Sequence, residues 1–170
     1  NVEFFVDFET VSNLDDDFSS FPRMGGQPLI FMIGCGYMSD GQWIFEQFTV
    51  DRLEEKCEAE AIDQWIEYMI DVAGGEDANV YHWSQAEPVN MENAYRSARD
   101  RHPDRSWPVI NWFDLYRNVF YAEPVGVKGA FGLGLKAIAN ALRSHDLIET
   151  GWGSSQVDGL GAMVAAWYVD

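Results

Sequence analysis

The chain has 170 residues, of which 47% are hydrophobic and 15% aromatic, so it can bury a real core, and intrinsic disorder, collagen-like repeats and low-complexity tails are excluded. Lys and Arg number 11 against 28 Asp and Glu, a formal charge of −17. That excess excludes a nucleic-acid binder working through a broad basic face, but not one whose carboxylates hold divalent cations, because bound metal reverses the local sign.

Val2 to Phe8 (VEFFVDF) is apolar, β-branched and aromatic and predicts a buried strand. Val11 to Gln27 shifts to Ser, Asn, Asp, Gly and Pro and predicts a long loop. Pro28 to Met38 (PLIFMIGCGYM) predicts a second buried strand, its two glycines marking a bulge or a close backbone approach. Ser39-Asp40-Gly41 is a turn signal, and Trp43 to Val50 predicts a third strand, completing an antiparallel meander. Asp51 is the expected N-cap of a helix, with Glu54 completing a capping box. Leu53, Cys57, Ala61, Trp65 and Met69, with Ile62, Ile66 and Ile70 beside them, give that helix one apolar face, and Gly74-Gly75 close it. Asn79 to Trp83 predicts a strand, and Pro88 suits the first turn of a helix running to about Arg101. After a polar loop from His102 to Pro108, Val109 to Phe113 predicts a fifth strand. Leu133 to Leu142 is a helix behind the glycine-rich GVKGAFGLG, and Val157 to Tyr168 a last one, with Leu160, Met163, Val164 and Trp167 on one face. This order predicts an α/β chain, a single unit over 1–170 with one mixed sheet and helices on its faces.

Cys35 and Cys57 are too few for a disulfide framework and are expected as buried free thiols. Three histidines without a C-x-x-C pair exclude a zinc finger. The longest apolar stretch, Pro28 to Met38, is too short to span a bilayer. The opening residues carry no signal-peptide pattern, so the expectation is a cytoplasmic protein without a membrane partner, and the abrupt start suggests a piece of something longer.

Asp7 and Glu9 are the most informative residues. Side chains at i and i+2 of a strand share a face, and two carboxylates at the end of an apolar strand need a cation or hydrogen-bond donors if they are buried. The plain alternative is a solvated strand end leading into Asp15-Asp16-Asp17. Glu87, in YHWSQAE, stands where a strand ends and a helix begins, which helix-dipole compensation alone would explain. His82, flanked by Tyr81 and Trp83, reads as a half-buried, satisfied histidine, Asp114 as a simple N-cap, and Asp158 likewise.

The order D-x-E on the first strand, then an acid after a later strand, resembles the ribonuclease H-like 3′–5′ exonucleases with four acidic residues. It is most similar to the nuclease domain fused to or found beside RecB-like and Cas4-like nucleases. The matching stretches are FFVDFET, LIFMIGCGY, VYHWSQAE, WFDLY, GLGLKAIANAL and VDGLGAMVAAWY, nearly the whole chain. The resemblance implies a mixed five-stranded sheet whose first three strands are antiparallel. It also implies two divalent ions, Mg²⁺ or Mn²⁺, on Asp7, Glu9 and Glu87, where Glu87 replaces the aspartate found in most of the superfamily. Thr10, His82, Asp114 and Lys136 are implied as supporting or substrate-side residues; for Lys136 a solvated lysine is an equal alternative.

The implied activity is two-metal hydrolysis of phosphodiester bonds in DNA, with single-stranded DNA or free 3′ ends as partner, alongside another nuclease or helicase module. The pattern departs from the family at the last motif, a Tyr or His shortly before an Asp on a terminal helix. Neither Tyr168 with Asp170 nor His145 with Asp146 has that spacing, and truncation is the expected reason. The alternative function is a catalytically incomplete scaffold or docking module.

Overall fold

A computed structural model describes residues 1–11, 29–84, 91–123 and 125–149. Strand β1 (Val2–Val11) runs through the middle of the sheet, with Phe4 and Val6 buried on one face and Glu3, Phe5 and Asp7 exposed on the other. β2 (Leu29–Ser39) and β3 (Gln42–Thr49) follow as an antiparallel meander. Their hairpin turns on Asp40 and Gly41, at φ 50° and 76°. A two-residue turn with both φ positive matches the strand twist, and Asp-Gly is among the pairs that adopt it.

β4 (Ala78–His82) and β5 (Trp112–Asp114) add on the other side, both parallel to β1, so the strand order is β3-β2-β1-β4-β5. The chain is thus α/β, a five-stranded mixed sheet flanked by helices. Helices α1 (Glu55–Ala73) and α2 (Met91–Arg101) cover one face. There Trp65 is fully buried and meets Phe8 edge-on at 5.4 Å and Tyr95 at 5.9 Å between ring centroids. A wide, π-type helical stretch (Tyr116–Tyr121) follows β5, and α3 (Leu135–Ser144) comes last among the described elements. Among the described residues no helix is long and apolar enough to cross a membrane.

Several expectations need correction. β1 does not stop at Phe8: β2 stays paired with it to Val11, across a register shift between Glu9 and Thr10. Asp7 and Glu9 therefore lie within the strand rather than at its tip. The glycines of β2 sit at no bulge. A Cβ on Gly36 would collide with the Trp43 indole, and one on Gly34 would press on the Phe45 ring at 3.2 Å, so both positions stay bare to let aromatic rings lie across the strand. β3 is an edge strand on which Phe48 alone is buried, while Trp43 and Phe45 stay exposed. The capping box is absent: Asp51 to Glu54 form a turn closed by Glu54 N–H to Arg52 C=O (2.8 Å), so α1 starts only at Glu55. Ile70 falls outside the buried stripe, 61% exposed, and Cys57 is half-buried. β5 is shorter and later than expected because Val109 points into solvent, leaving Asn111 to accept the Val80 amide.

In place of Ile70 the α1 stripe contains Glu58, which is fully buried. Its carboxylate accepts from Ile30 N–H (2.8 Å), Arg101 Nε (2.9 Å) and Arg101 Nη2 (2.8 Å), and lies 2.8 Å from His102 Nε2. One side chain thereby ties α1 to the start of β2 and the end of α2.

Candidate functional site

β4 stays beside β1 only from Val2 to Phe5, where Phe5 faces Tyr81. Asp7 and Glu9 lie beyond that last pair, where β1 has no β4 partner among the described residues. β1, β4 and β5 run parallel, and their carboxyl ends form the rim where ligands of open α/β sheets bind. The geometry follows from the sequence: period-2 alternation sends Phe4, Val6 and Phe8 toward α1 and leaves the intervening carboxylates on the opposite face.

An open cleft of about 880 Å³ lies over this rim. Asp7 lines it from β1, Trp83 from just past β4 and Tyr116 from the start of the helical stretch after β5. Phe131 to Ala137, the glycine-rich loop and first turn of α3, close its far side and bring in Lys136. The loop is fastened to the end of α3, where His145 Nε2 lies 2.8 Å from the Lys128 carbonyl.

The electrostatics mark the pair out. Asp7 remains solvent-accessible, but the surrounding protein displaces enough water to push its pKa above the ordinary aspartate value, against a hydrogen bond from the Phe8 amide. Glu9 is raised too, first by loss of solvent and then by the Asp7 charge, while Lys136 pulls it back down. The structure thus brings Asp7, Glu9 and Lys136 within one electrostatic neighbourhood. Two carboxylates that resist ionisation together form a hard oxygen donor set, which suits a divalent cation.

The remaining predicted residues fall elsewhere. Thr10 is half-buried beyond the register shift, paired with Ile30. His82 lies on the helix-covered face, only 2% exposed instead of half-buried, with Nδ1 3.2 Å from Ser84 Oγ. Its Nε2 is buried without a hydrogen-bond partner among the described residues, so the expectation of a satisfied histidine fails. Burial holds its pKa below the usual range, with the Asp114 charge opposing. Asp114 is buried, and its Oδ1 accepts from the amides of Ser84 (3.4 Å) and Arg117 (3.2 Å). Its Oδ2 lies 3.5 Å from Arg117 Nε. Binding the amide three residues on is the work of an N-cap, the plain reading of Asp114. Glu87 lies outside the described residues, as do the loop through Asp15-Asp16-Asp17, the segment Val157 to Tyr168, Asp158 and Asp170. Among the described residues no three metal-capable side chains converge.

Sequence reasoning missed the aromatic lining. Trp83 packs on Phe120 at 4.8 Å and Tyr116 at 6.3 Å, and Phe131 is fully exposed. The available signal was an aromatic residue inside a glycine-rich loop, GVKGAFGLG, where nothing local would bury it. No family model matches the sequence, and no curated protein matches it.

Proposed function

We propose that the chain is a ribonuclease H-like nuclease domain that hydrolyses phosphodiester bonds of DNA with divalent metal, acting 3′–5′ on single strands or ends. The observation that carries this reading is the Asp7–Glu9 pair. The two carboxylates share one face of β1, beyond the last β1–β4 pair, each with a raised pKa; Asp7 lines a cleft with Lys136, whose charge also acts on Glu9. A mixed five-stranded sheet whose first three strands are antiparallel is also what the family resemblance implies, and it supports the reading.

Asp7 and Glu9, with Glu87, would hold the cations. When bound there, Mg²⁺ or Mn²⁺ would supply a more acidic water as nucleophile and positive charge for the leaving oxygen. The protein's own share is positioning. β2 pairing on one side of β1 and the core contacts of Phe8 beneath it fix the two carboxylates, and Lys136 supplies a positive charge toward phosphate.

The test is nucleotide release from end-labelled single-stranded DNA in Mn²⁺. Asp7→Asn and Glu9→Gln should each lower the rate at least about a hundredfold, since loss of even supporting residues around a metal costs 10–100-fold. Cleavage that persists undiminished in both variants would overturn the assignment.

The net charge of −17 favours a second reading, a scaffold that docks partners without cutting. Calorimetric titration with Mn²⁺ separates the two. Saturable binding that Glu9→Gln abolishes belongs to the nuclease, and absence of binding to the scaffold.

A further inference from the structure

Phe131 is fully exposed at the rim of the Asp7 cleft. Its presentation is built into the backbone: Gly129 and Gly132 flank it at φ 92° and 110°, conformations that other residues rarely adopt. A hydrogen bond from the Ala130 amide to the Val127 carbonyl (3.0 Å) and the His145 contact to Lys128 hold the base of this loop. The ring therefore stands in water on a tethered loop. Trp83, packed on Phe120, offers a second aromatic surface in the same cleft. Lys136 supplies a cation beside them, and Asp7 occupies the β1 side.

This combination selects a ligand class. Flat apolar surfaces take the faces of flat rings, a lysine takes an anion, and carboxylates take a hard cation that in turn takes phosphate oxygen. A nucleotide within a single strand carries all three complements. Bases inside a duplex have their faces covered by their neighbours, so an unpaired base fits and a paired one does not.

Resting on the nuclease reading of Asp7 and Glu9, we propose that Phe131, in the cleft that Trp83 also lines, forms a base-stacking subsite for an unpaired nucleobase of the strand being cut. Phe131 is then a specificity residue. It discriminates unpaired from paired strands, whereas the carboxylates act on whatever phosphate reaches them.

The test measures binding of a short fluorescein-labelled oligothymidylate, and of an abasic strand of equal length, by anisotropy in Ca²⁺. The whole chain is compared with Phe131→Ala and Phe131→Tyr. Stacking on an aromatic residue accounts for about a tenfold difference in affinity per base. Phe131→Ala should therefore weaken oligothymidylate binding about tenfold and leave the abasic strand unchanged, and Phe131→Tyr should restore the loss. An equal loss on both strands, no loss on either, or no binding of oligothymidylate by the unaltered chain would each overturn the subsite. Full exposure of Phe131 makes a folding defect an unsuitable explanation, and unchanged thermal melts verify this. The nuclease reading fails by a different result, cleavage indifferent to Asp7→Asn. A chain that binds through Phe131 yet cuts nothing would keep the subsite and lose the hydrolysis.

Discussion

Asp7 and Glu9 carry an energetic signature as well as a geometric one. Both have folded-state pKa values above the ordinary carboxylate range, through lost solvation and, for Glu9, through the Asp7 charge as well. A carboxyl group whose pKa is raised by folding binds more protons in the native than in the unfolded state. Its ionisation therefore opposes folding, and stability falls as pH rises from the unfolded value through the raised folded value. Asp7→Asn removes that opposition. In metal-free buffer at neutral pH the variant should be more stable than the unaltered chain, by a small margin because Asp7 keeps contact with solvent. Near about pH 3, where the carboxyl is protonated in both states, the difference should vanish. Added Mn²⁺ should raise the melting temperature of the unaltered chain and leave the variant's in place, because only a ligand bound by the native state stabilises it. Circular-dichroism melts at the two pH values read all three outcomes, and a less stable variant at neutral pH would contradict the account. The pair was legible in FFVDFET because alternation assigns faces without any knowledge of neighbours. Trp83, Tyr116 and Phe131 were not, since their lining of one cleft depends on where β4, the helical stretch after β5 and the loop before α3 end up in space.

The same contrast holds among the elements. The Asp40-Gly41 hairpin and the αL stop at Gly74, φ 58°, were readable because each is a local backbone requirement. Glu58 was not. CEAEAID gives it the appearance of one more solvated acid, while its partners Arg101 and His102 lie more than 40 positions further on. No spacing rule reaches that far. With Glu58 fully buried and Arg101 nearly so, removal of either charge strands the other. Glu58→Ala should therefore destabilise the chain by about 3–5 kcal/mol, as loss of one partner from a buried pair does. Glu58→Gln, which keeps the volume and an acceptor for the Ile30 amide, should cost less. Urea denaturation of the two variants gives the ranking, and a loss below about 1 kcal/mol for Glu58→Ala would show the pair to be solvated in practice. Because Glu58 holds the first residues of β2, and β2 holds β1 as far as Val11, a failure here should also blunt activity without touching the carboxylates.

For the molecule as a whole, the difficulty is a polyanion acting on a polyanion. A charge of −17 repels DNA at long range, and Lys136 alone cannot offset it. The proposed activity resolves this only if attraction is confined to the cleft and delivered by divalent metal on Asp7 and Glu9, while aromatic surfaces add contacts that need no charge. That division has a measurable consequence. Basic DNA binders release counterions and lose roughly 10³–10⁵ in affinity as monovalent salt rises from about 50 to about 200 mM. Here the same change also screens the repulsion between protein and strand, so affinity for oligothymidylate at saturating divalent ion should change less than about tenfold, or rise. Chelation, in contrast, should abolish binding at every salt concentration, because it returns the cleft to bare carboxylates. Anisotropy titrations across that range decide the matter. A steep loss of affinity with salt, unaffected by chelation, would place the nucleic-acid contact on lysines and arginines away from the cleft, and the carboxylate pair would lose its role in binding.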